Sequence, residues 1–331
     1  MNDALVILPK TQMSVAKAAG AIVVPDAIAA AGPGAVNRLI EFFTAQIRNR
    51  NTREAYGRAC SQFFDWMYEN GVNDCRLVQP IHVAGWVETM LGEEFEVPTV
   101  KQRLAAVRVL FDWLVTGGVL HSNPAASVRG PKHSVRRGKT PVLDGAEAAQ
   151  LLSSIPTHNL AGLRDRVLIA LMTYSFARIS AALGMKVSDL FHERKRLWVR
   201  LHEKGGKRHE MPCHHALEEY LIDYLERSGL KNKPDSPLFP SLSRLQRLTE
   251  RPLHRIEAWA MVKRRAKAAG LKTAVVNHTF RGTGITAYLE NGGQLERAKH
   301  MANHASTKTT QLYDRRADRT TLDDVERIRL G

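Results

Sequence analysis

Arg178, Lys204, His278, Arg281, His304 and Tyr313 are the side chains of this sequence whose types and spacing can do chemistry. Arg178 interrupts the apolar run LRDRVLIALMTYSFARISAALGM. A guanidinium there needs an anion or hydrogen-bond acceptors to offset its lost hydration, and a structural ion pair would serve as well as a ligand. Lys204 stands just before the glycine pair Gly205–Gly206, where a flexible cation is projected outward or merely solvated. His278 and Arg281, in HTFR, are three residues apart, so on a helix both address one oxyanion. Ser306, which follows His304, is placed to cap a short helix leading to Tyr313. Nine residues of straight helix span about 13 Å, so the chain must turn if His304 and Tyr313 are to meet.

Together these groups suit metal-free attack on a phosphodiester. Forked guanidiniums match non-bridging oxygens and stabilise the charge of a pentavalent transition state. A phenol with a pKa near 10 needs a base or an electrostatic field to become a nucleophile. A lysine can protonate the departing 5′ oxygen. Other chemistries fit less well. His300 and His304 have the i,i+4 spacing of a zinc pair, with His278 as a third ligand, but Met301 stands where the H-E-x-x-H glutamate would be. No carboxylate cluster of a two-metal site is present. The triplet Gly138-Lys139-Thr140 lacks the earlier glycine of a phosphate loop, with His133 in its place, and Pro141 follows.

The chain has 331 residues and a formal net charge of +15 at pH 7. Such a positive field attracts polyanions, nucleic acid first and anionic membrane second. The hydrophobic fraction of 44% falls in short periodic segments, as in a globular chain, and no apolar run approaches a membrane span, so a cytoplasmic protein is expected. Cys60, Cys75 and Cys213 are widely spaced and form neither a disulfide framework nor a thiolate metal site. Buried small hydrophobes are their expected role.

The length predicts two domains. Residues 1–34, broken by Pro25, Gly32, Pro33 and Gly34, read as a loosely held extension. Residues 35–128 read as a helical bundle. One helix opens on an Asn51/Glu54 capping box, carries Tyr56, Cys60, Phe63, Phe64 and Met67 at helical spacing, and ends at Gly71. A second opens on Thr99/Gln102, buries Leu104, Val107, Leu110, Phe111 and Leu114, and closes at Gly117. Residues 129–142 form a basic linker, and an Asp144/Glu147 box opens a second domain over 143–331. There the Arg178 stretch reads as one buried helix, and RLWVRLHEKGGKRHEMPC as a hairpin turning at Gly205–Gly206. The fold class is mainly α with a small antiparallel β-sheet. Gly282 and Gly284 each cost a helix about 1 kcal/mol, which points to close approach by a backbone or to a tight helix crossing.

ARISAALGM, HEKGGKRHEMP, HTFR and ANHASTKTTQLY resemble, in order, the arginine, lysine, H-x-x-R and terminal tyrosine boxes of the tyrosine recombinases, the phage-integrase family of site-specific DNA recombinases. NTREAYGRACSQFFDWM, TVKQRLAAVRVLFDWL and NPAASV resemble the family's helical, SAM-like core-binding domain. The resemblance runs from about residue 36 to 313 and implies that core-binding domain followed by a mixed α/β catalytic domain. It implies Tyr313 as nucleophile of a 3′-phosphotyrosyl link, Arg178 and Arg281 clamping the phosphate, Lys204 (or Lys207) as general acid, His278 in proton transfer and His304 bonding the phosphate. The link stores phosphodiester energy, so no cofactor is implied, neither ATP nor metal. The implied partners are double-stranded DNA at specific sites, a homo-tetramer joining two such sites through a Holliday junction, and an accessory DNA-bending or directionality protein. A mobile element is the expected setting.

The chain departs from the family pattern at Ala181, where many relatives carry an acid, and at Gly282, where many carry histidine. Candidate DNA contacts are Arg53, Lys101, Arg103 and Arg108 in the bundle, Arg129, Lys132, Arg136 and Arg137 in the linker, and Lys207. In the tail, Leu322, Val325 and Ile328 share one side of a helix too short to stand alone, to be docked on its own domain or on a neighbouring copy. Two alternatives stay open on sequence: a DNA-binding accessory protein without catalysis, and a type IB topoisomerase-like enzyme.

Overall fold

The computed structural model describes residues 24–133, 138–203, 206–315 and 325–328. The chain divides into two compact units, Met1–Ser134 and Val135–Gly331.

The first unit is helical: α1 (Asp26–Ala30), α2 (Pro33–Glu41) running into a π-helical turn at Phe42–Gln46, α3 (Arg50–Glu69), α4 (Pro80–Gly92) and α5 (Val97–Thr116). Edge-to-face contacts of Phe63 with Trp86 and with Phe111 tie α3, α4 and α5 into one core. The expected stripes of α3 and α5 are buried, save for the half-buried Tyr56. The expectation of a loose extension fails for residues 25–34: Pro25 caps α1, Pro33 opens α2, and Ile28 is fully buried. The prolines that suggested interruption start helices instead, because a first-turn residue needs no amide donor. Residues 1–23 of that extension lie outside the described residues. Two helix starts also differ from expectation. Pro98 lets α5 begin at Val97 rather than after Thr99. On α3, Asn49 rather than Asn51 is the cap, accepting from Thr52 N at 3.1 Å.

In the second unit α6 (Gly145–Ser154) opens on the expected box, Asp144 accepting from Glu147 N at 2.8 Å. The apolar stretch that follows is not one helix. It is α7 (Leu160–Tyr174) and a short α8 (Ile179–Leu183), with Arg178 at the cap position of α8. Between them Ser175 turns its hydroxyl onto Leu171 O at 2.6 Å, and Phe176 takes a left-handed φ of 53°. Continuous apolarity hid the break, since residues 167–172 of α7, the turn at 175–177 and residues 181–183 of α8 are all buried.

Strands β1 (Leu190–Glu193), β2 (Arg196–His202) and β3 (Arg208–Pro212) form an antiparallel meander in which Val199 faces Met211. Gly206, at φ 74°, supplies the left-handed residue of the expected hairpin. After α9 (His215–Ser228) comes a pair the sequence did not announce, β4 (Pro240–Leu242) with β5 (Leu248–Pro252), too short to show alternation. Helices α10 (Arg255–Ala268), α11 (Asn277–Glu290), α12 (Leu295–Met301) and α13 (Thr307–Gln311) complete the unit.

The centre of this core is α7, whose residues Val167–Met172 are all buried. Beside it Asp165 accepts from Arg164 at 2.8 Å and from Arg265 at 2.8 Å, so its buried charge is matched. All three cysteines are buried and free. Among the described residues no helix is long and apolar enough to cross a membrane. Val325 and Ile328 are exposed, and Leu322 lies outside the described residues.

Candidate active site

Helix α11 is the platform of the site. His278 and Arg281 sit one turn apart on it, and Gly282 and Gly284 let other groups press against it. A Cβ at Gly284 would stand 1.9 Å from the Thr173 carbonyl oxygen of α7, the close backbone approach expected of that glycine. Gly282 faces side chains instead, those of Val142 and Tyr313.

Arg281 is buried to 1% exposure. Its Nη1 donates to Phe176 O and its Nη2 to Ala302 O, while Nε has no partner among the described residues. The left-handed turn at Phe176 aims that carbonyl, and strain of about 1–3 kcal/mol is typical of such a residue. Burial first, and then the neighbouring charge of Arg178, push the Arg281 pKa down to about 10, so it stays cationic at neutral pH. Arg178 leaves the start of α8 half-buried, its Nη1 donating to the carboxylate of Glu203, whose side chain is 3% exposed.

Tyr313 is brought to the same place by a turn. Helix α12 ends at Met301, Asn303 adopts a φ of 46°, and Ser306 caps α13, accepting from Lys308 N at 3.3 Å. His304 and Tyr313 therefore meet with nearly parallel rings, 12° and 6.2 Å apart. The phenol hydroxyl lies 2.7 Å from His278 Nε2. Its backbone is pinned on both sides, Thr286 Oγ1 donating to Tyr313 O at 3.1 Å and Gly138 N to Leu312 O at 3.0 Å. Burial raises the Tyr313 pKa, opposed by the Arg281 charge, a hydrogen bond with the Thr140 side chain and the Arg178 charge.

Both histidines are biased towards the neutral form. His278 keeps an exposed edge, but desolvation of its ring, with the charges of Arg281 and Arg178, lowers its pKa. His304 is buried, bonds Thr310 Oγ1 through Nδ1 at 2.9 Å, and is pushed down to about 3 by desolvation and the same two arginines. In the tautomer that carries its proton on Nδ1, the neutral His278 imidazole can accept the phenol hydrogen at Nε2. The arrangement can thus hold an anion between two cations and take a proton from a phenol.

Arg178, His278, Arg281, His304 and Tyr313 thus form one cluster, and Lys204 lies outside the described residues. Lys207 is exposed on the hairpin. His300 does not join His304 but packs its ring on His209 at 5.7 Å, and among the described residues no group of three metal-ligating side chains occurs. Sequence reasoning missed Glu203, Thr140 and the carbonyls of Phe176 and Ala302. Glu203 was visible in HEKGGK but had no spacing to mark it.

Three arginines named as candidate DNA contacts are engaged by the bundle itself. Arg53 donates to Ile47 O at 3.1 Å, Arg103 stacks on the Phe95 ring at 4.1 Å, and Arg108 donates to Ala125 O at 3.0 Å and to Val128 O. Helix ends and loop carbonyls beside a long guanidinium make this capture favourable. Lys101, Arg129 and Lys132 are exposed, and Arg136 and Arg137 lie outside the described residues.

Two family models match: the Phage integrase family over residues 141–320, and the Phage integrase, N-terminal SAM-like domain over residues 39–118. Tyrosine recombinase XerD of Corynebacterium glutamicum is 29% identical over 275 residues, covering 80% of this chain and 86% of the relative. Its namesake in Staphylococcus aureus is 27% identical over 272 residues, covering 80% and 87%. Among solved structures, XerH site-specific recombinase bound to palindromic difH substrate aligns with a TM-score of 0.68 at 17% identity, covering 92% of this chain and 96% of that one. A lambda integrase dimer bound to a COC′ core site aligns at 0.65 and 17%, covering 87% and 97%. A lambda integrase tetramer bound to a Holliday junction aligns at 0.65 and 16%, covering 87% and 78%.

Proposed function

Because the chain belongs to the phage integrase family and is a tyrosine site-specific recombinase, we propose that Tyr313 opens one DNA strand at a time by attack on a scissile phosphate. The Tyr313 oxygen forms the new bond to phosphorus as the P–O5′ bond breaks, leaving a 3′-phosphotyrosyl link and a 5′ hydroxyl. The phenol proton passes to His278 Nε2, and Lys204 protonates the departing 5′ oxygen. Arg178 and Arg281 hold the non-bridging oxygens, with neutral His304 as a further hydrogen-bond donor. Rejoining reverses the step with the 5′ hydroxyl of another strand, so the phosphodiester energy is kept in the link.

The 2.7 Å approach of Tyr313 Oη to His278 Nε2, beside two guanidiniums, carries this reading. A buried phenol with a raised pKa is a poor nucleophile until a neutral base stands next to it, and the lowered pKa of His278 supplies that base near pH 7. Double-stranded DNA at specific sites is the substrate. Exchange of two strand pairs calls for four copies on two sites and a Holliday junction between them. XerH bound to its difH substrate supports the DNA partner, and the lambda integrase tetramer bound to a Holliday junction supports that assembly. A binding-only accessory role is disfavoured by a cluster that keeps nucleophile, base and both clamps. The test is a nicked duplex copied from the cleavage position mapped on DNA flanking the gene. Wild-type protein forms an SDS-resistant adduct on it; Tyr313→Phe binds without forming one. An adduct in the variant would overturn the assignment.

A further inference from the structure

Glu203 presents an electrostatic oddity in a site that, on the reading above, receives an anion. Its carboxylate is 3% exposed and accepts from Arg178 Nη1, although a negative charge there repels a phosphate. A buried carboxylate tolerates such a position only when a cation compensates it, and Arg178 is that cation. The residue is held from the backbone as well. Glu203 N donates to Lys207 O at 2.8 Å, closing the base of the β2–β3 hairpin, so the carboxylate is carried at the end of the paired strands.

Arg178 needs such a hold more than Arg281 does. The Arg281 fork is fixed by two backbone carbonyls, whereas the half-exposed Arg178 leaves a short helix from its cap position. The two guanidiniums also repel each other: the charge of Arg178 lowers the Arg281 pKa and that of Glu203 raises it. Ala181, on α8 itself, offers no charge to do this.

We propose that Glu203 is a positioning residue for strand cleavage: its buried carboxylate grips one arm of Arg178 and balances the paired cations, so that the rest of the guanidinium meets the scissile phosphate already oriented. Glu203 does not touch the reacting atoms; it acts through Arg178. A merely structural ion pair would instead set stability and leave the discrimination of phosphate charge unchanged.

The experiment is single-turnover adduct formation on the nicked duplex described above, with either a normal scissile phosphate or a racemic methylphosphonate. The methylphosphonate lacks the negative charge that Arg178 reads. Glu203→Gln keeps the shape and removes the charge. It is expected to bind the duplex as wild type does, to form adduct about 10- to 100-fold more slowly on the phosphate, and to come within about twofold of wild type on the methylphosphonate. If Glu203→Gln does not fold at the assay temperature, Glu203→Asp, which withdraws the same charge by one methylene, goes through both substrates with the same pattern expected. Equal slowing on both substrates, or no slowing on the phosphate, overturns the proposal. Wild-type protein that forms no adduct, or an adduct that survives Tyr313→Phe, would instead overturn the underlying reading of the site.

Discussion

Gly282 is the floor on which the Tyr313 ring rests: a Cβ added there would stand 3.2 Å from Tyr313 Cε1 and 2.9 Å from Val142 Cγ1. Gly282→Ala should therefore lift the phenol away from His278. The helix gains about 1 kcal/mol of propensity, which offsets part of an overpacking cost of about 1–3 kcal/mol, so the fold survives. The 2.7 Å contact with His278 does not. Thermal melting should move by only a few degrees while adduct formation slows by about tenfold or more. A variant that cleaves at the wild-type rate would show that the ring does not need this seat.

Gly284→Ala should behave differently, although it lies only two residues along α11. Its Cβ would stand 1.9 Å from the Thr173 carbonyl oxygen and 2.8 Å from Phe176 Cδ1, and a backbone oxygen cannot rotate away. Helices α7 and α11 would have to separate. The expected loss reaches or exceeds the upper end of about 1–3 kcal/mol, read as a lower urea midpoint. Gly284→Ala should be the less stable of the two glycine variants.

His304 makes stability depend on acid. Its pKa falls from 6.5 to about 3 in the folded chain, so below pH 6.5 the unfolded chain binds a proton that the folded one refuses. Stability from this residue is fully present above pH 6.5 and is lost as pH falls towards 3, by at most about 1.4 kcal/mol per pH unit. Denaturant titrations between pH 6.5 and 5, above the range of ordinary carboxylates, should show this slope in wild type and a shallower one in His304→Gln. Equal slopes would remove His304 from the account.

Much of this was legible beforehand, and the exceptions have physical causes. HTFR places two groups on one helical face by spacing alone, and the hairpin showed itself by alternation around two glycines. The break at Phe176 left no trace, because the turn is as apolar as the helices it separates. Glu203 is one acid in a polar hairpin until the fold buries it beside Arg178. Arg108 read as a surface cation because its acceptors, Ala125 O and Val128 O, are backbone atoms that no side-chain pattern records.

Arg281→Lys keeps a positive charge in the site and should still fail. The guanidinium reaches Phe176 O and Ala302 O together, while one ammonium on a single stem cannot span both. A carbonyl left without its donor costs about 1–3 kcal/mol, and the left-handed turn at Phe176 loses the contact that holds it. Burial also drives a lysine towards its neutral form, whereas Arg281, at a pKa of about 10, remains charged near neutrality. The variant should melt at lower temperature and, assayed well below that temperature, form adduct about 100-fold more slowly or worse, as expected when a donor to the developing transition-state charge is removed. Should Arg281→Lys cleave within a few-fold of wild type, charge alone would suffice at this position, and the fork fixed by two carbonyls would be structural scaffolding rather than a phosphate clamp.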